Sequence, residues 1–183
     1  IEERTQLTSA ISVGDVVDGG VLFWFREDNP GDRRIISFVD TGNEVAWSAK
    51  ETYVIHAYTN DITYMIGSSN WGYAQSYSQN NTNGATGDFA VDFPAFAACY
   101  NYTPNGEPKG TWWLPARGEF LRFLEVRDVV EQVILERGGT DLKGKTYWTS
   151  TQLSEDGTMA YVWDSGSLEA GQKKTRAIGA VSY

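Results

Sequence analysis

The stretch WWLPARGEFLRFLEVRDVVEQVILERGG, residues 112–139, carries the clearest structural signal in the chain. From Ala116 onward, apolar residues recur at spacings of three and four, which is typical of a helix with one buried face. These residues are Leu121, Leu124, Val130, Val133 and Ile134. Arg137, Gly138 and Gly139 then supply a basic last turn and a glycine stop, so the stretch predicts one amphipathic helix.

Strand patterns flank this helix on both sides. Between Val13 and Phe25, two apolar runs are separated by Asp18-Gly19-Gly20, a turn signal that predicts a β-hairpin. Further strand-like segments are RRIISFVD (33–40), KTYWTST (145–151), TMAYVWDSG (158–166) and KKTRAIGAVSY (173–183). The pattern therefore predicts an α+β fold, with residues 1–12 as a polar lead and residues 13–183 as one domain.

The middle of the chain is less regular. Residues 88–102, DFAVDFPAFAACYNY, place phenylalanines at helical spacing and predict a second helix with Pro94 in its first turn. Residues 46–86 lack periodicity, and SSNWGYAQSYSQNNTNGATG (68–87) is polar with several glycines. We interpret this region as a long surface loop, whose Asn, Ser and Tyr residues could serve a binding face or could simply be solvated.

Composition excludes several classes of function. The 183 residues carry 15 Lys and Arg against 24 Asp and Glu, a net charge of −9, which disfavours nucleic acid and anionic membranes as partners. No window approaches a membrane span, so direct membrane insertion is not expected. No signal peptide precedes the domain in this chain, and we expect the targeting segment to lie outside it.

The inventory of reactive residues is equally restrictive. Cys99 and His56 are the single cysteine and the single histidine, too few for an internal disulfide, a His/Cys zinc site or a cysteine-pair mechanism. Cys99 sits in an apolar run and is interpreted as a buried thiol. The acidic turns 27–32 and 155–156 lack the spacing of a calcium loop. The sequence predicts no catalytic residue, no metal and no cofactor.

The order of segments resembles a known family. The ordered pieces are GG-VLFWF, AWS (46–48), AACYNY, WWLPARGEFLRFLE, YWTSTQ (147–152) and AYVW, with Trp113-Leu114-Pro115 and Glu119 among the most specific. This series resembles the Legionella-collagen-like C-terminal domain family of surface lipoproteins and pilus-associated proteins. The resemblance implies a C-type-lectin-like fold: a small twisted antiparallel β core, two helices and a long loop-rich half.

The last forty residues also resemble the variable proteins of diversity-generating retroelements. In those proteins a lectin-type scaffold displays a C-terminal stretch whose intervening positions are diversified, while a framework that here would include Ala160 and Gly166 is kept. The resemblance implies a ligand-binding face on residues 152–174. Its candidate residues are Gln152, Leu153, Ser154, Glu155, Asp156, Thr158, Tyr161, Trp163, Asp164, Ser167 and Glu169. Strand alternation leaves it open whether Tyr161 and Trp163 face a ligand or the core.

These observations lead to one main functional hypothesis and two alternatives. The main hypothesis is a non-enzymatic adhesin or receptor-type domain of a bacterial surface or a phage particle, which holds a protein or glycan ligand on the 152–174 face. One alternative is a structural pilus or lipoprotein module that packs against its neighbours. The other is an oxygenase-like enzyme of the formylglycine-generating fold, which the shortage of cysteine and histidine disfavours.

Overall fold

The computed structural model describes residues 10–50, 53, 55, 65, 67–153, 158–164, 166–171 and 173–182. The strands are β1 (Val16–Val17), β2 (Gly20–Arg26), β3 (Asn29–Asp40), β4 (Val45–Ala46), β5 (Trp148–Gln152), β6 (Met159–Val162), β7 (Ser167–Glu169), β8 (Lys174–Thr175) and β9 (Ile178–Ser182). The helices are α1 (Gly67–Gln79), α2 (Phe89–Asp92), α3 (Pro94–Tyr100), α4 (Arg117–Glu125) and α5 (Arg127–Glu136), with a 3-10 turn at Thr82–Gly84. The predicted α+β class is confirmed. The predicted lead at 1–12 stays a prediction, because residues 1–9 lie outside the described part.

Three antiparallel sheets organise the part of the chain that the structure describes. The largest has the order β1-β2-β3-β9, the second pairs β4 with β8, and the third has the order β5-β6-β7. In the large sheet Ile35 of β3 pairs with Leu22 of β2 on one side and with Val181 of β9 on the other. A parallel bridge between Tyr147 and Arg176 connects the ends of the sheets. The segments 13–40 and 173–182, far apart in sequence, are therefore neighbours in space.

The predicted hairpin is confirmed. Val17 pairs with Gly20 across the β1–β2 turn, and the turn residues Asp18 and Gly19 have φ angles of 44° and 87°. Gly20 itself lies so close to the backbone oxygen of Ile36 that a Cβ there would stand 2.4 Å from it. The Asp-Gly-Gly triplet thus serves two needs: a left-handed turn, and close approach of β2 to β3.

Both predicted helices are interrupted. The 88–102 helix divides at Phe93, which has φ −136° and ψ 72°. Phe93 precedes Pro94, and the proline ring disfavours helical geometry in the residue before it. The 112–139 helix divides at Val126, with φ −124° and ψ 16°. The prediction of exactly two continuous helices, one in each of these segments, was therefore wrong, although the helical segments themselves are confirmed.

The interpretation of residues 46–86 as a long surface loop was also wrong for its second half, where α1 forms. The buried face of α1 consists of Gly67, Asn70, Ala74, Tyr77 and Ser78. These are small, polar or aromatic residues, so a search for aliphatic periodicity finds nothing to detect. Gly67 is required by packing, since a Cβ there would lie 2.4 Å from the Leu114 carbonyl oxygen.

Three apolar clusters form the core among the described residues, and the two larger ones are rich in aromatic rings. One surrounds Trp47, Phe93, Phe96 and Trp148 between α1, α3 and the small sheets. The other surrounds Phe120, Phe123, Tyr147 and Trp163, where α4 and α5 cover the large sheet. The segment that carries the predicted ligand face contributes to both clusters, with Val162 in the first and Trp163 in the second.

Within the described ranges, no helix has both the length and the apolar character needed to cross a membrane.

Candidate functional site

Gln152, the first residue of the predicted face, is fully buried at the end of β5. Its Oε1 accepts a hydrogen bond from the Ile55 N–H at 3.0 Å, and its Nε2 donates to the Tyr53 carbonyl oxygen at 2.7 Å. Both ends of the amide therefore bind the backbone, at Tyr53 and at Ile55. This side chain is engaged inside the protein and does not reach a ligand surface.

Trp163 lies in the core, 3% exposed. Its ring stacks on Phe123 with centroids 5.9 Å apart and meets Tyr147 edge-on at 4.8 Å. The Arg127 guanidinium covers the ring at 4.6 Å from its centroid. Of the two orientations that strand alternation left open, the interior one is adopted, because α4 and α5 supply aromatic and cationic partners for the indole.

Tyr161 is 8% exposed, with the Arg117 guanidinium 4.3 Å above its ring. Because Arg117 is the first residue of α4, this contact joins the start of that helix to β6. The residue is thus enclosed by the protein rather than presented to solvent.

The remaining candidate residues are divided among surface positions and undescribed ones. Asp164 is exposed, and its Oδ1 accepts a hydrogen bond from the Gly166 N–H at 3.0 Å. Leu153, Thr158 and Ser167 are half-buried. The others are Glu169, which lies in β7 and whose side chain is outside the description, and Ser154, Glu155 and Asp156, which are outside it altogether, as is His56. Ligand binding by this face stays a prediction.

Polar residues of β5 form a buried framework behind that face. Ser150 Oγ accepts from Asn70 Nδ2 of α1 at 2.9 Å. Thr151 Oγ1 accepts from the Arg117 N–H at 3.1 Å, and Thr149 Oγ1 donates to the Tyr161 carbonyl oxygen at 3.0 Å. The run 149–151 therefore attaches α1, α4 and β6 to one strand. A buried polar group that is paired in this way also fixes the relative position of its partners.

A buried ion pair connects the large sheet to the start of α4. Arg34 Nε donates to Glu119 Oε2 at 2.9 Å. Glu119 Oε1 accepts from the backbone N–H groups of Gly67, at 2.7 Å, and Ala116, at 3.0 Å. Arg34 also donates to the Met65 carbonyl oxygen at 2.7 Å. Burial raises the pKa of Glu119, while the backbone donors and the Arg34 guanidinium act in the opposite direction.

A second buried carboxylate, Asp92, joins α2 to α1. Its Oδ2 accepts from Ser78 Oγ at 2.6 Å, and its Oδ1 accepts from the Thr86 N–H and the Thr86 hydroxyl, both at 3.0 Å. Burial acts to raise the pKa of Asp92, but these hydrogen bonds outweigh it, and the net pKa lies below the ordinary value of 3.8. Asp92 is thus held as an anion by donors alone.

We expect Asp92→Asn to lower the free energy of unfolding at neutral pH by about 2 kcal/mol, because one carboxylate oxygen becomes an amide that faces donors. The folded-state pKa of Asp92 is depressed, so this stability is present above pH 3.8 and is lost as the pH falls through the lower folded pKa. Urea unfolding should accordingly give a smaller difference between the two proteins at about pH 3 than at neutral pH. Asp28→Asn, on an exposed turn, is the control, and a difference independent of pH would contradict this role.

Among the described residues, few side chains are available for catalysis. The Cys99 thiol is buried, and burial raises its pKa, so it stays protonated at neutral pH. Among the described residues, no three His, Cys, Asp or Glu side chains come close enough to hold a metal ion. The buried acids Glu119 and Asp92 are each committed to several hydrogen-bond donors. The geometry favours a role for them in holding the fold.

Comparison with known proteins gives one structural likeness. No protein-family model matches the chain, and none of the curated proteins matches it. Its fold is similar to that of a fimbrial protein from Bacteroides ovatus, with a TM-score of 0.62 and 14% sequence identity. The likeness covers 82% of this chain and 36% of the fimbrial protein. The two share a fold, and this chain spans about a third of the other's length.

Proposed function

We propose that the chain is a non-enzymatic structural module of a bacterial surface fimbria. The observation that carries this proposal is the fold shared with the fimbrial protein over 82% of the chain. Since the likeness covers 36% of that protein, the module would be one part of a longer subunit. Its localisation would be the cell surface, and its partners would be neighbouring subunits. The structural alternative is thereby favoured over the adhesin hypothesis.

We also propose that the scaffold is of C-type-lectin type, as members of the Legionella-collagen-like C-terminal domain family would be. This is supported by residues of the motifs that carry the resemblance, because they are used to hold the fold together. Glu119 is completely buried in the Arg34 pair, and Trp148 is buried with its Nε1 donating to the Val45 carbonyl oxygen at 2.8 Å. Such residues specify a scaffold rather than a ligand.

Shearing of surface appendages tests the proposal. Cells of the source bacterium are sheared, and the released filaments are separated from intact cells and immunoblotted with antibody against this chain. We expect the chain in the filament fraction, in a species longer than 183 residues, and its loss from that fraction when the gene is deleted. A chain that remains wholly with the sheared cells, with none in the filament fraction, would overturn the proposal.

Diversification of the 152–174 face is a separate prediction that follows from the second resemblance. The DNA encoding residues from Tyr147 onward is compared with the flanking DNA at the gene's own locus. A nearby copy that differs only opposite adenines, beside a reverse-transcriptase gene, is the expected result for a diversified receptor. Absence of such a copy would contradict it and would leave the fimbrial proposal unaffected.

A further inference from the structure

A cleft of about 410 Å³ opens beside the C-terminal half of α1. Tyr73, Ser76 and Tyr77 of the helix line one side, and the following turn lines the other with Asn80, Thr82 and Asn83. Ile55 contributes an apolar wall. The volume falls in the range of small-molecule sites. None of these seven residues is charged, and six of the seven carry a hydroxyl or an amide.

The floor of the cleft is rigid because it is continuous with the core. Tyr77 is 8% exposed, and its ring meets Phe93 edge-on with centroids 5.9 Å apart. Its hydroxyl oxygen accepts from Asn83 Nδ2 at 2.8 Å. The Tyr77 phenol therefore has its ring fixed in the core and its hydroxyl fixed at the cleft, where it retains a proton that it can donate.

The turn that forms the far wall is held in an unusual conformation. Asn81 and Asn83 both adopt left-handed backbone geometry, with φ angles of 52° and 48°. Asn81 Nδ2 donates to the Ala85 carbonyl oxygen at 3.0 Å, which closes the turn. The amide side chains of this wall are thus presented from a fixed backbone, an arrangement that lowers the entropic cost of binding.

The rim carries an exposed aromatic ring. Tyr73 is 49% exposed although it belongs to a chain whose other described large aromatic rings are mostly buried. An exposed tyrosine beside amides and hydroxyls offers a flat apolar surface and directional hydrogen bonds within one small area. Sugar rings present the complementary features, with C–H groups on one face and hydroxyls around the edge.

We propose that this cleft binds a neutral oligosaccharide, with a sugar ring on Tyr73 and its hydroxyls bonded to Asn80, Asn83 and Tyr77. The described lining residues supply no cation to pair with a sialic acid or a sulfate, and the net charge of −9 repels anionic sugars. None of the seven lining residues belongs to the predicted 152–174 face, although the Ile55 N–H donates to Gln152 of that face. The site requires neither assembly into a filament nor diversification, so it can fail while the fimbrial proposal stands.

The test is binding of the full chain to an array of immobilised neutral, sialylated and sulfated oligosaccharides, followed by titration with the strongest neutral glycan in free form. We expect neutral glycans to bind and Tyr73→Ala and Asn80→Ala each to weaken binding about tenfold, a loss of ~1.4 kcal/mol. Matched controls are Leu135→Ala and Gln132→Ala on α5, which are exposed positions away from the cleft lining. Both should bind as the unchanged protein does.

Each result of the binding experiment either supports or overturns the proposal. Binding to anionic glycans alone, or to no glycan on the array, would overturn the proposal. Binding that Tyr73→Ala and Asn80→Ala both retain would overturn it too, since the sugar would then sit elsewhere. Competition by the free glycan distinguishes recognition of the sugar from recognition of its carrier, and failure to compete would count against the site. Circular dichroism of each variant confirms that a loss of binding is not a loss of fold.

Discussion

Arg34→Met should lower the free energy of unfolding by about 3–5 kcal/mol, the cost typical of removing one partner from a buried ion pair. Methionine fills similar volume, so the effect comes from charge and hydrogen bonding. Glu119, fully buried, would lose its 2.9 Å partner and would keep only backbone donors. The Met65 carbonyl oxygen would lose its donor as well. Urea unfolding followed by tryptophan fluorescence measures the change.

Arg26 provides a matched control for this prediction. Both arginines pair with Asp32, but the Arg26 side chain is 56% exposed and the Arg34 side chain 8%. Arg26→Met should therefore cost less than about 1 kcal/mol. The double variant Arg34→Met with Glu119→Gln should recover part of the loss, because no unpaired charge stays buried. Equal effects for the two arginine variants would contradict the assigned role of the buried pair.

Trp47→Ala should be as damaging, at about 3–5 kcal/mol, since it empties the centre of the first aromatic cluster. The indole is 0% exposed and meets Phe96 edge-on at 5.1 Å and Phe93 at 6.1 Å. Its Nε1 donates to the Thr149 carbonyl oxygen at 2.8 Å, which anchors β5. Trp47→Phe should cost less than the alanine variant, because most of the ring volume stays and chiefly the hydrogen bond is lost.

Thermal and urea unfolding of both variants measure the effect. Tyr73→Ala is the control: with its side chain 49% exposed, we expect a change within about 0.5 kcal/mol. A Trp47→Ala protein as stable as this control would show that the cluster can collapse around the missing ring. That result would contradict the importance assigned to the β5 anchor.

Local signals in the sequence account for much of the fold. Asp18-Gly19 supplies the left-handed turn of the first hairpin, and Pro94 marks where α3 begins. The positions of the helix breaks are harder to predict. At Phe93 the following proline is the cause, and a stricter application of that rule would have divided the helix correctly. At Val126 no proline or glycine marks the break.

Features that depend on distant partners could not be predicted. The α1 helix can bury Asn70 and Ser78 because each donates a hydrogen bond to a buried partner, Asn70 to Ser150 and Ser78 to Asp92. In sequence, Asn70 and Ser150 are 80 residues apart. Periodicity of apolar residues carries no information about such pairs.

The same limit applies to the predicted ligand face. Whether Trp163 faced outward or inward depended on Arg127 and Phe123 of the helices that cover it. Gln152 looked like a surface residue after a strand, but its amide pairs with backbone groups of Tyr53 and Ile55. The tyrosine and asparagine content of residues 68–87 left both a binding face and a solvated coil open, and six of the seven residues that line the cleft lie in this stretch.

The proposal that this chain belongs to a surface fimbria can be tested by immunogold electron microscopy of intact, unpermeabilised cells with antibody against the chain. We expect gold particles along filaments that extend from the cell, and no labelling on cells in which the gene is deleted. Labelling confined to the interior of sectioned cells, with bare filaments outside, would contradict it.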